Sequence, residues 1–359
     1  MKAITQLSLA SLIVTALACG GGGSEVITPA NLHYSAPTRI VTKDGNGDIT
    51  ISDVSSNGII VGTLGSQGYY WTSPASSPIP LSNGMQPQVV NSHGAMAGYQ
   101  AGSDLAFASS PTATPVALAR DAASTNKSVF LKSMTDTNAI LGQASNVSSP
   151  EEYAGIFWDN SHQVQTIASS PGSSEYVTVG NSKDGSIFGI EFDSGAGSFG
   201  RSIRWANYAT TGVFVDGPSL SGPGAWSVVS VNRDTGVSVA LNFDDQQTYY
   251  GVGYLPSGST TILQMPGSGV SPVAISNNGI VIGGAKIDSN GLFQFPNVTP
   301  MVWANVQSDP VDLNTLIPSG TGWVLGLPKY ILANGDIIGQ GKLTVSGVTT
   351  DEWYYIQRK

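Results

Sequence analysis

At 359 residues the chain is too long for one ordinary compact core. It must divide into domains or be built of repeats whose core grows unit by unit. Only 11% of its residues are charged, while 44 are Gly and 20 are Pro, a composition of short strands and tight turns. The net charge of −9 and the lack of any basic run argue against a nucleic-acid partner, which would need clustered Lys and Arg to displace phosphate counterions.

The chain starts MKAITQLSLASLIVTALAC, with one positive charge at Lys2, an apolar stretch from Leu7 to Leu17 and small residues before Cys19. Residues 1–18 therefore read as an export signal, too short for a membrane-spanning helix. Ala16-Leu17-Ala18-Cys19 resembles the lipobox of bacterial lipoproteins, which implies that Cys19 becomes an acylated N-terminus. The same three residues satisfy the small-x-small rule for simple cleavage, which would give a freely secreted protein instead. Cys19 is the only Cys in the chain, and a lone thiol has no other evident purpose in an oxidising exported setting. Residues 19–36, beginning CGGGGSEVITPAN, then form a lipid-attachment site and flexible tether to the membrane. Gly20 does not resemble an inner-membrane retention signal, so the expected location is the outer membrane or cell surface.

Residues 37–359 form the folded domain. Near its start, KDGNGDIT places oxygens from Asp44, Asn46 and Asp48 at alternate positions around glycines, a partial match to a calcium loop. An ordinary Asp/Asn/Gly turn is the alternative.

From there one unit recurs seven times: a β-branched run, a polar turn, a second apolar run, and a small residue four positions after the turn residue. The clearest copies are DVSSNGIIVG, AISNNGIVIG and YILANGDIIG, each built on an Asn-Gly turn. The turn residues are Gly58, Gly94, Asn138, Gly185, Gly236, Gly279 and Gly335. Gly, and after it Asn, is what a hairpin turn with positive φ requires. Their spacing is close to the length of a four-stranded propeller blade. An aromatic follows each turn at the end of a short strand: Trp71, Phe107, Trp158, Trp205, Tyr254, Trp303 and Trp353. Recurrence in every unit assigns these side chains to packing between blades rather than to sugar stacking. The last unit, ending EWYYIQRK, lacks a fourth strand, and PTRIVTK at 37–43 lacks a blade of its own.

The predicted fold is therefore an all-β, seven-bladed propeller closed by pairing of its N- and C-terminal strands. That pairing would remove exposed sheet edges. A double β-sandwich or an open β-solenoid is the alternative.

The units resemble the HAF repeats of predicted extracellular bacterial proteins, in which an Ile-Asn-x-x-Gly-x-Ile-x-Gly segment precedes an aromatic strand. VAISNNGIVIGG followed by MVWANVQSDPVDLNTLIPSGTGWVLGLPKYILANGDIIGQG carries the resemblance best. It implies an extracellular repeat protein and no particular activity.

No catalytic constellation emerges. His33, His93 and His162 fall in the tether, a hairpin turn and a polar loop, without metal-ligand spacing. His93 precedes Gly94 where other copies have Asn57, Asn278 and Asn334, so its expected role is to tolerate the turn. No G-x-S-x-G elbow is present. The sialidase-type Ser-x-Asp-x-Gly box is approached only by Ser182-Lys183-Asp184-Gly185, with the Gly one position early. Two functions follow as expectations. One is a membrane-anchored binding or scaffold module for a polysaccharide or envelope protein; the other is an exported hydrolase or lyase acting on extracellular polysaccharide.

Overall fold

The computed structural model describes residues 27–40, 49–100, 104–122, 124–125, 127–145, 153–168, 176–191, 201–215, 225–243, 249–254, 260–263, 270–286 and 298–359. Its strands form seven four-stranded antiparallel sheets. The first comprises Thr50–Val54, Ile60–Leu64, Gln67–Trp71 and Ile79–Pro80, and the second Gln86–Val90, Met96–Gln100, Asp104–Ala108 and Val116–Ala117. The third holds Ser128–Met134, Ile140–Ser145, Tyr153–Trp158 and Val164–Thr166, and the fourth Tyr176–Asn181, Ile187–Glu191, Arg201–Trp205 and Val213–Phe214. Ala225–Val231, Ser238–Phe243, Tyr249–Tyr254 and Thr260–Ile262 make the fifth, and Val270–Ile275, Val281–Lys286, Val298–Trp303 and Pro310–Asp312 the sixth. In the last sheet Trp323–Ile331, Ile337–Val345 and Val348–Ile356 take their fourth strand from Thr38–Arg39.

The two ends of the folded region are stitched side by side. Thr38 pairs with Tyr355 and Arg39 with Tyr354. The Arg39 guanidinium also grips Glu352 at both carboxylate oxygens, at 2.7 and 2.8 Å. Further along, Ser35 N donates to Gln357 O and Lys359 N to His33 O, and Leu32 and Tyr34 sit in a core with Leu313 and Tyr354, so residues 27–36 belong to the folded domain and not to the flexible tether expected over 19–36.

Each sheet buries its faces against its neighbours. One core joins Val61, Leu81 and Met85 to Val90 and Met96 of the next sheet, and another joins Ile51, Ile60 and Trp71 to Leu332, Ile338 and Trp353 of the last. Between the fourth and fifth sheets Val228 N donates to Ser202 Oγ at 2.9 Å. This arrangement of radially packed sheets is an all-β propeller.

The turn residues explain the spacing of the repeat. In the first sheet Gly58 N donates to Ser55 O and Ser55 N to Ile59 O, so the chain makes a three-residue loop with its last residue left-handed. All seven turn residues have positive φ, from 69° at Asn138 to 92° at Gly335. The residue that opens the turn also holds it: Ser55 Oγ accepts from Ile59 N, Thr135 Oγ1 from Ala139 N and Ser276 Oγ from Ile280 N. Among the described residues His93 is not one of the positive-φ positions. Its expected turn-tolerating role is therefore corrected, because Gly94 beside it carries the left-handed conformation.

The aromatic series needs a second correction. The first residue of each second strand pairs with the last residue of the third: Ile60 with Trp71, Ile140 with Trp158, Ile187 with Trp205, Ser238 with Tyr254 and Val281 with Trp303. In the second sheet this place belongs to Ala108, opposite Met96, and in the last to Ile356, opposite Ile337. Phe107 is one residue out of phase and Trp353 three, so each makes a different contact from Trp158 and Trp205. Trp158 and Trp205, both fully buried, donate their indole N–H to Ala119 O and Ala168 O in the segments leading out of the preceding sheets. Phe107 instead lies against His162 of the third sheet, ring centres 3.8 Å apart.

That contact has a pH consequence. Burial pushes the His162 imidazole below its ordinary value, against the opposing pull of Asp159, and its buried Nε2 has no hydrogen-bond partner among the described residues. The folded state thus binds a proton more weakly than the unfolded chain, whose His titrates at about 6.5. Stability should fall as pH drops through and below that value. Denaturant midpoints measured between pH 7.5 and 5 should show this slope in the wild type and a shallower one in His162→Asn, since Asn also accepts positive φ.

Candidate functional site

A channel runs between the innermost strands of the sheets, and a local irregularity shared by all of them shapes its wall. Each innermost strand carries a β-bulge three residues before its turn. The bulged residues are Ser52, Gln88, Lys132 and Lys329 in four sheets, and Val179, Val229 and Val273 in three consecutive ones. Ser128–Met134 shows how the bulge acts: Val129 and Leu131 are buried, Phe130 and Lys132 exposed, and past Lys132 the alternation breaks so that Ser133 and Met134 are both buried. An extra residue is thereby turned out of the ladder, toward the axis.

All of these except Gln88 line a cavity of about 280 Å³. Gln88 is drawn aside, its Oε1 accepting from Leu131 N of the next sheet at 2.9 Å. Around the ring the three valines form one continuous arc, with Lys132 in the sheet before it and Lys329 in the sheet after it. The charged residues lining the cavity are Lys132, Arg233 and Lys329 against Asp53 and Asp234, an excess of positive charge in a chain of net charge −9.

Arg233 spans the cavity at its turn-side end. The fifth turn, Asn232–Gly236, is one residue longer than the others: Gly236 N reaches back four residues to Asn232 O, whereas Gly58, Gly94 and Gly185 reach back three. The longer turn carries Arg233 across to the first sheet, where its guanidinium meets Asp53 Oδ1 at 2.6 Å, and to the second, where it donates to Val90 O at 3.0 Å. Asp53 Oδ2 accepts from Val90 N at 2.9 Å, completing the knot. Burial disfavours the charged Arg233, but Asp53, through its charge and its hydrogen bond, more than reverses this and raises the Arg233 pKa. Tyr330, in the same wall, donates to Ser52 O at 3.2 Å, and burial pushes its phenol up.

Most other polar groups here are committed too. Asn232 Nδ2 donates to Ile275 O and to Asn277 Oδ1, and Asn277 Nδ2 to Asp234 Oδ2. Lys132 differs, making no hydrogen bond or ion pair among the described residues. It is exposed to the channel, yet loss of water against the walls lowers its pKa from the ordinary lysine value.

Of the residues singled out in the sequence, Cys19 and the calcium candidates Asp44, Asn46 and Asp48 lie outside the described residues. The seven turn residues surround the mouth of the channel. His93 and His162 stand in separate turns, and no three of His, Cys, Asp and Glu converge as a metal site would need, among the described residues. Sequence reading missed Lys132, Arg233 and Lys329. The signal was available in the residue three positions ahead of each turn, and in the single extra residue of VNRDTG.

The fold and its charged axial channel define the class, an all-β propeller. No family model and no curated protein matches the chain. Among solved structures it is similar to an oligogalacturonate lyase in complex with manganese, at 10% identity over 91% of this chain and 96% of that one, with a TM-score of 0.61. It is also similar to the oligogalacturonate lyase of Vibrio parahaemolyticus, at 10% identity over 91% and 97% and a TM-score of 0.59. A third is YCF48 from Cyanidioschyzon merolae, at 11% identity over 90% and 98% and a TM-score of 0.52. At such identities the likeness is one of fold.

Proposed function

We propose that the protein is an exported binding module, tethered to the cell envelope through an acylated Cys19. Its seven-bladed ring, closed by its terminal strands, takes a ligand in the central channel. The observation that carries the binding reading is the channel itself, a cavity with a surplus of positive charge and a cation, Lys132, without a partner among the described residues, bordered by an apolar arc. A hydrolase or lyase acting on polysaccharide would need an acid and a base free to move protons. Here Asp53 is held by Arg233 and Asp234 by Asn277, which favours binding over catalysis. The tether rests on the sequence around Cys19, and its consequence is residence at the outer membrane or cell surface beside envelope polysaccharide and protein.

Two measurements test this. Intact mass and membrane partition, wild type beside Cys19→Ser in a bacterial host, should show an acylated membrane-bound wild type and a released mutant. Two soluble, unacylated proteins would overturn the tether. Thermal unfolding against a panel of acidic and neutral oligosaccharides, peptides and aliphatic acids should find at least one that raises Tm by mass action. A flat response across the panel would sink the binding reading.

A further inference from the structure

The ring of bulged residues carries more information than the presence of a cavity. Its order around the axis is Ser52, Gln88, Lys132, Val179, Val229, Val273 and Lys329, so an uninterrupted arc of three β-branched side chains is bracketed by two lysines. Val229 is one of the large apolar side chains left exposed, 36% accessible although it stands on an innermost strand. A bulge that turns a residue toward an axial channel gives no packing reason for valine in three sheets running. What such an arc provides is a water-facing apolar strip, which gains by being covered.

The cation beside it is equally unspent. Every other charged group of the cavity wall named above has a partner: Arg233 has Asp53, Asp234 has Asn277, and Lys329 interacts within the protein. Lys132 has none among the described residues, and it faces the same space as the valine arc. An ammonium next to a hydrocarbon strip is complementary to an anion that carries a hydrocarbon, and to neither part alone.

We propose that the channel binds an aliphatic carboxylate, with the carboxylate against Lys132 and the alkyl part on Val179, Val229 and Val273. The inference rests on the channel being the ligand site and adds the ligand's chemical class. A sugar chain is a poorer fit, because the amides of Asn232 and Asn277 and the Tyr330 hydroxyl are already committed. A bare phosphate would leave the valine arc wet. Two sources share the favoured chemistry: a free aliphatic acid, and the C-terminus of a peptide ending in an aliphatic residue.

The test is calorimetric titration of the full chain carrying Cys19→Ser with four probes: octanoate, a short peptide ending Val-Leu with a free carboxylate, the same peptide amidated, and trigalacturonate. Octanoate or the free-acid peptide, or both, should bind at one site per chain, and which of the two binds identifies the source. Amidation should weaken the peptide at least tenfold. Lys132→Met should lose at least tenfold in affinity, Lys132→Arg should retain most of it, and Val229→Thr should lose severalfold at unchanged size. Circular dichroism of each variant separates lost binding from lost fold. Binding of trigalacturonate alone would overturn the aliphatic-carboxylate assignment while leaving the channel as a ligand site. Equal affinity in Lys132→Met and wild type overturns it too, as does no heat from any probe; if the wider panel still raises Tm, the binding module survives that failure.

Discussion

Arg233→Met is expected to lower the unfolding free energy by about 2–4 kcal/mol, toward the lower end of what breaking a buried pair costs because the arginine keeps some contact with water. The Arg233 side chain is 24% accessible and that of Asp53 7%, so the carboxylate is the partner that cannot recover its hydration. Removing Arg233 leaves Asp53 with Val90 N as its remaining donor, and frees Val90 O as well. Asp53→Asn should cost less, since the amide can still accept from Val90 N and leaves no buried charge on its own side. Combining the two should cost less than the sum of the single changes. Denaturant unfolding of the four proteins gives this cycle directly. Additive losses would mean that the bridge contributes nothing beyond its separate parts. The expected coupling has a structural reading: Arg233 ties the fifth sheet to the first and second across the axis, so the radial packing of neighbouring sheets is supplemented by one strut through the middle.

That strut also shows where sequence reading stops. The Asn-Gly turns were legible because each is a local backbone requirement written in adjacent residues. The split sheet was legible because two incomplete units stand at opposite ends of the chain. Arg233 was not, since an extra residue in VNRDTG looks like ordinary variation in turn length until its guanidinium is seen beside Asp53, 180 residues away. The aromatic series was read partly out of phase for a related reason. In the sequence Phe107 and Trp353 look as much like strand ends as Trp71 and Trp303 do, and only the strand register separates them. The lysines and valines of the channel share no local motif at all. They share a position, three residues before the turn, whose meaning depends on a bulge that backbone geometry alone reveals.

The same bulge faces the small residue of the repeat, and here the second large effect is expected. In every sheet the residue just before the bulge pairs with the small one: Ile51 with Gly62, Pro87 with Gly98, Leu131 with Gly142, Thr178 with Gly189, Val228 with Ala240, Pro272 with Gly283 and Pro328 with Gly339. In the sixth sheet the bulging strand leans into its partner, and a Cβ built on Gly283 would collide with Ser271 O and lie 2.9 Å from Pro272 Cα. Backbone cannot rotate away as a side chain can, so Gly283→Ala must displace the strand. It should cost about 3 kcal/mol or more, at the upper end of overpacking effects. Two comparisons make the cause visible. At Gly142 the three atoms nearest the Cβ would all be side-chain, led by Ile156 Cγ2 at 3.0 Å, so Gly142→Ala should cost distinctly less. At Gly185 it would meet nothing within 4 Å, but φ is +88°, so Gly185→Ala should cost only the left-handed strain of about 1–2 kcal/mol. Thermal or denaturant unfolding should therefore rank Gly283→Ala as the most damaging of the three. If Gly142→Ala proved as harmful as Gly283→Ala, close approach of the bulged backbone would not be why the repeat keeps a small residue there.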